Sequence, residues 1–243
     1  MTGIQCGHWL YHAPHLNAAA FLAKQAGEEI SHVKRILRIL SVLGEPPGPA
    51  HRVIRFLSTG MMGGSWGEHV ALEMALGEGL VLAVFYAMAE TIPDPEIRKI
   101  LETAAVEEER HVEFGEKETL DWVARYPQAK PLLLGLAWIQ LWALQKLKQF
   151  VIRRLRAETG NGHPVLGQFE KFYDHAVECF EWRIERLGLG QLSRLSRFKK
   201  TSLVLLLPWR KLVARFSQRQ SLLTASYLDD PVLRAEFQRY RSS

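Results

Sequence analysis

Only two cysteines, Cys6 and Cys179, occur in 243 residues. That excludes a disulfide scaffold and a cysteine-built zinc site, each of which needs more thiols. No charged start followed by an apolar run and a small-residue cleavage site is present, so no signal peptide is evident. The longest apolar runs, such as Pro131 to Leu144 with Gln140 interrupting it, fall short of the roughly 20 residues a membrane span needs. The expected location is cytoplasmic, peripheral to the inner membrane surface at most. Alternating β-branched residues are scarce, which points to helices.

Acidic residues are missing from two places. None occurs in residues 1–27, and none between Leu187 and Leu228. Residues 1–126 carry 11 Lys and Arg against 17 Asp and Glu, a net charge of −6, whereas residues 127–243 carry 20 against 9, a net charge of +11. An acidic half and a basic half suggest separate tasks. The length suits one large domain or a domain with an appendage. The expected organisation is metal-binding helices over residues 1–126 and a basic helical region over residues 127–243 packed on that bundle.

What is present is mostly helical periodicity. Residues 1–15 read as irregular, with His8, His12 and His15 as loop histidines or metal ligands. A helix is expected from Leu16 to about Leu43, with Asn17 as cap and Gly44 as stop. Glu-Pro-Pro-Gly-Pro then cannot continue it. The connection to about Trp66 holds an apolar piece, Val53–Leu57, and a glycine-rich turn, Gly60 to Gly67; its length permits a crossover between parallel helices. Further helices are expected over Glu68–Glu90, Glu96–Tyr126, Lys130–Arg156 and Val165–Leu187. The tight turn Ile92-Pro93-Asp94-Pro95 makes the first two of these antiparallel neighbours.

Two stretches carry chemistry. Glu108 and His111 lie three apart on one helical face, within the stripe of Leu101, Ala104, Ala105, Val112 and Gly115. Glu29 and His32 repeat the spacing, amid Leu22, Ala26, Val33, Ile36 and Leu37. Glu78 sits among Ala71, Met74, Ala75, Leu82 and Phe85, whereas Glu68, Glu73 and Glu90 fit a solvated face. Burying a carboxylate and an imidazole without partners is costly. Two Glu-x-x-His pairs on separate helices are how a helix bundle holds two metal ions. In this reading Glu29 and Glu108 bridge, His32 and His111 each cap one ion, and Glu78 is a terminal carboxylate. Oxygen and imidazole donors suit iron or manganese, and iron's redox change suits oxygen chemistry. The bland alternative is a set of salt-bridged core polar residues.

These motifs resemble the ferritin-like di-iron carboxylate superfamily. Glu29-Ile30-Ser31-His32 is similar to its second-helix motif, and Ala75-Leu76-Gly77-Glu78 to the third-helix Gly-Glu of rubrerythrin-type proteins. Glu108-Glu109-Arg110-His111-Val112-Glu113-Phe114-Gly115 is similar to the fourth-helix motif, with a continuation like that of di-iron oxygenase branches. The resemblance covers about residues 15–126. It implies an all-α, ferritin-like helix bundle with additional C-terminal helices. It also implies a site for two iron ions, with manganese or a mixed pair as variants, and O2-dependent oxidation of an organic, apolar substrate. The superfamily's first-helix Glu has no counterpart before Glu29. The expectations are a longer chain start, an incomplete site, or a substitute carboxylate. Glu178, with His175 and Trp182 on its helical face, is the substitute candidate; its other reading is an ion pair with an arginine of the basic half.

The basic half holds eight Lys or Arg between Arg194 and Arg219, interleaved with Leu203–Leu207 and Trp209. Peripheral membrane contact is one reading, because basic amphipathic helices lie in the lipid interface. Nucleic acid is another, disfavoured by the leucines and by the lack of evident aromatic platforms. Packing on the bundle or on a second subunit, as a homodimer, is the third. The expected function is a di-iron oxidase or oxygenase taking O2 and a small-molecule or lipid-like substrate. Its rivals are an iron-handling or peroxide-scavenging protein, and a non-catalytic scaffold at a membrane surface.

Overall fold

A computed structural model describes residues 2–47, 64–160, 164–203, 205, 206 and 209. Among these residues the chain is all-α and contains no strand. The apolar piece Val53–Leu57 and the basic residues Arg210 to Arg219 lie outside the described residues.

The chain forms two compact units, residues 1–47 with 209–243, and residues 48–208. The boundaries therefore do not follow the change in charge near residue 126. In the first unit, α1 (Thr2–Tyr11) packs on α2 (Leu16–Leu43). The helical α1 replaces the expected irregular start. Cys6 and Trp9, one turn apart, are both buried, and such burial of an apolar face is what stabilises a short helix. The cap of α2 is His15 rather than Asn17: its Nδ1 accepts the Ala18 N–H at 3.1 Å. Gly44 ends the helix in the left-handed conformation, φ 70°, as expected of a C-terminal glycine.

The second unit holds α3 (Trp66–Thr91), α4 (Pro95–Arg125), α5 (Lys130–Thr159) and α6 (Pro164–Arg186). Ser65 caps α3 by accepting the Glu68 N–H, while the Glu68 carboxylate accepts the Gly64 N–H. Asp94 caps α4 by accepting the N–H groups of Glu96 and Ile97, with Pro95 in the first turn where no N–H is needed. Helix α3 is π-helical from His69 to Glu78, a wide winding that concentrates at functional sites. By length and composition α3 could cross a membrane, unlike the shorter runs expected from the sequence, but half of its most apolar window is buried inside the protein.

The main core joins Ala71, Leu72, Ala75 and Leu76 of α3 to Leu133, Leu136 and Ala137 of α5 and Phe180 and Ile184 of α6. The interruption at Gln140 has a structural use: its side-chain amide donates to the Leu72 carbonyl inside the π segment at 2.7 Å. Arg183 and Arg186 of α6 clamp the buried Glu116 of α4 at 2.8 and 3.2 Å. Thus two helices of the basic half complete the core around α3 and α4.

Candidate metal centre

Helices α3 and α4 run antiparallel, as their short connection requires. Gly67 lies against Trp122, and Gly115 lies against Ala75 and Met74. A Cβ on Gly115 would fall 2.6 Å from the Ala75 nitrogen, so only glycine permits this backbone approach. One turn along α4 from Gly115, the same interface brings Glu78 opposite His111.

His111 is fully buried, Glu108 is 4% exposed and Glu78 is 8% exposed. The His111 Nδ1 lies 3.4 Å from a Glu108 oxygen and 3.9 Å from a Glu78 oxygen. Each of the three offers one ligand atom, and these atoms lie within 4.8 Å of one another. Metal–ligand bonds of about 2.0–2.2 Å place neighbouring ligand atoms ~3 Å apart around one ion, so the spacing suits shared coordination. Two carboxylates this close also repel unless a cation or proton lies among them. The donor set, oxygen and imidazole without thiolate, matches iron, manganese or zinc rather than a soft metal. Beside these residues, Leu82, Ala105 and Val112 form an apolar cluster with Phe85 packed on it.

In the first unit, the expected pair also forms. The His32 Nδ1 lies 3.9 Å from a Glu29 oxygen, with both side chains largely shielded. The buried seam of α2 is narrower than the sequence suggested. It runs through Ala18, Leu22, Gln25, His32 and Ile39, while Val33, Ile36 and Leu37 are exposed. A three-and-four spacing is the seam one packed face requires, and residues one step aside fall off it.

Glu178 is exposed on α6 and does not belong to the Glu78, Glu108 and His111 group. The buried stripe of α6 runs through Tyr173, Ala176, Phe180, Ile184 and Leu187, which leaves Glu178 outside it. His175 instead approaches the Cys179 sulfur at 3.5 Å, and Trp182 stacks under Arg186.

Comparison with protein-family models, with curated proteins and with solved structures finds no match for this chain. Its chemistry must be argued from its own residues.

Two site-adjacent features escaped the periodicity. Glu73, expected in solvent, accepts a 2.8 Å hydrogen bond from Nδ1 of the buried His69. Their spacing of four on an apolar segment was the available signal. Glu116 was the other; nothing in the local pattern distinguishes it from the exposed acids of α4, because its arginine partners come from α6.

Proposed function

We propose that this chain is a metal-dependent oxidoreductase of the di-iron carboxylate type, oxidising an apolar organic substrate with O2. The observation that carries the reading is the buried convergence of Glu78, Glu108 and His111 from two facing helices. Evolution of a dry core does not favour two carboxylates and an imidazole at one point unless a cation offsets their charge.

In this reading Glu78, Glu108 and His111 would hold metal within the second unit, and Glu29 and His32 would be the first unit's own donor pair. The repeated Glu-x-x-His spacing and the shielding of Glu29 and His32 support the last assignment. Iron held there would supply a redox couple for chemistry with O2. The protein's own contribution is to fix donor geometry, neutralise the cations with carboxylates and keep water out. Leu82, Ala105, Val112 and Phe85 suit the last role and favour an apolar substrate over hydrated iron as cargo.

The test is elemental analysis of protein from iron-supplemented cells, in parallel with Glu108→Gln and His111→Gln variants that preserve side-chain volume. About two irons per chain are expected in the wild type and a large loss in both variants. Added ferrous iron should also raise the unfolding temperature of the wild type but not of H111Q, because a ligand stabilises only the state that binds it. Absence of bound metal and of any thermal shift would sink the proposal. Metal bound and oxidised without any apolar substrate being consumed would move the chain to the iron-handling class.

A further inference from the structure

After α6 the chain makes a turn at Leu192–Arg194 and enters a short helix over residues 197–203, continued at 205 and 206. Its inner side is fixed to the second unit. Leu192 and Leu195 join the main core, and Leu203 packs so closely on α5 that a Cβ on Gly135 would lie 2.8 Å from its methyl carbon. Lys200 is held over the Trp138 ring, its Nζ 5.9 Å from the centroid.

That anchoring decides what faces outward. Phe198 and Leu205, seven residues and two turns apart, share the side opposite Leu203. Phe198 is 84% exposed and Leu205 is 74% exposed, with Leu206 also exposed beside them. Arg197 flanks this ridge on one side and Lys199 on the other, and both are exposed, as is Arg194 at the start of the segment. A helix attached by its inner side would ordinarily present polar residues to water; here it presents a phenylalanine and two leucines bordered by cations. No acidic residue between Leu187 and Leu228 could offset these charges.

We infer that this ridge docks on the surface of an anionic lipid bilayer, with Phe198, Leu205 and Leu206 entering the acyl boundary and Arg194, Arg197 and Lys199 meeting headgroup phosphates. Charge complementarity chooses this occupant. A second copy of the chain would bring like charges together around the ridge. A nucleic acid would satisfy the cations but leave the aliphatic side chains without partners, since bases stack on aromatic rings rather than leucines. An interfacial bilayer satisfies both, because it offers apolar depth beneath an anionic surface.

The experiment is co-sedimentation of the full chain with vesicles of phosphatidylcholine alone and of phosphatidylcholine mixed with phosphatidylserine, at low and high salt. Binding is expected to the mixed vesicles, to weaken at high salt as the charges are screened, and to be slight with phosphatidylcholine alone. The variant Arg197→Gln, Lys199→Gln should bind more weakly by roughly fivefold per charge removed. The variant Phe198→Ser, Leu205→Ser should lose binding even at low salt while keeping its helicity and its metal content, both side chains being exposed. Equal binding to both vesicle types, or wild-type binding by the serine variant, would overturn the inference. So would tighter binding to single-stranded RNA than to mixed vesicles. Metal content reports on the metal-centre proposal separately, so the two can fail independently.

Discussion

Tyr173 shows how burial sets the chemistry of a single side chain. Its phenol is pushed up to about 12 from the ordinary value near 10, first by burial and then by the negative charge of Asp174. Both disfavour the phenolate. Lys148 lies over the ring at 4.4 Å and pairs with Asp174 at 2.9 Å, so the three groups form one local set. Because the folded pKa is raised, the stabilisation is complete below pH 10 and is lost as pH climbs from about 10 to 12. The difference between alkaline absorbance titrations of the wild type and Tyr173→Phe should show one tyrosine ionising near pH 12. A midpoint near 10 would mean that Tyr173 is solvated. At the candidate metal centre the same cost of burial falls on Glu78, Glu108 and His111, and in the proposed reading a cation offsets it.

At the scale of elements, the interface between α3 and α4 is set by small residues rather than by large ones. Gly115 allows the backbones to meet, and that closeness is what brings Glu78 within reach of His111. Gly115→Ala places a methyl 2.6 Å from backbone and from the Met74 Cβ, and neither can swing away. Overpacking of this kind costs about 1–3 kcal/mol. The variant should unfold at lower denaturant and retain less metal; unchanged values for both would show that the helices separate freely. The sequence marked Gly115 as part of the apolar stripe. Its role could not be read there, because the constraint comes from the opposing backbone of α3. The π winding of His69–Glu78 was equally unreadable, since helical periodicity over ten residues barely distinguishes the two windings. Gln140 looked like an interruption until its amide was seen to serve the Leu72 carbonyl.

For the whole molecule, the distinction between buried stripe and exposed flank makes a direct contrast. Phe180 is almost fully buried where α3, α5 and α6 meet, whereas Leu37, which the sequence assigned to the packed face of α2, is 45% exposed. Phe180→Ala should cost about 3–5 kcal/mol through the cavity it leaves. Leu37→Ser should cost less than about 0.5 kcal/mol, as expected at a surface position. Equilibrium urea unfolding measures both, and a large loss for the second would restore the broader face.

The sequence by itself determined the all-α class, the limits of α2 to α6 to within a few residues though not the presence of α1, and the Glu-x-x-His pairs. These are local properties: caps, breakers and side-chain spacing act within a few residues of one another. The pairs Glu29–His32 and Glu108–His111 are visible because a helix places residues three apart on one side whatever surrounds it. Only the tertiary structure decided that Glu78 meets His111, that Glu73 and Glu116 are paired inside, that Glu178 stays in solvent, and that Phe198 and Leu205 point outward. Each of those depends on which surface another helix covers, and that choice is made by packing between segments distant in the chain.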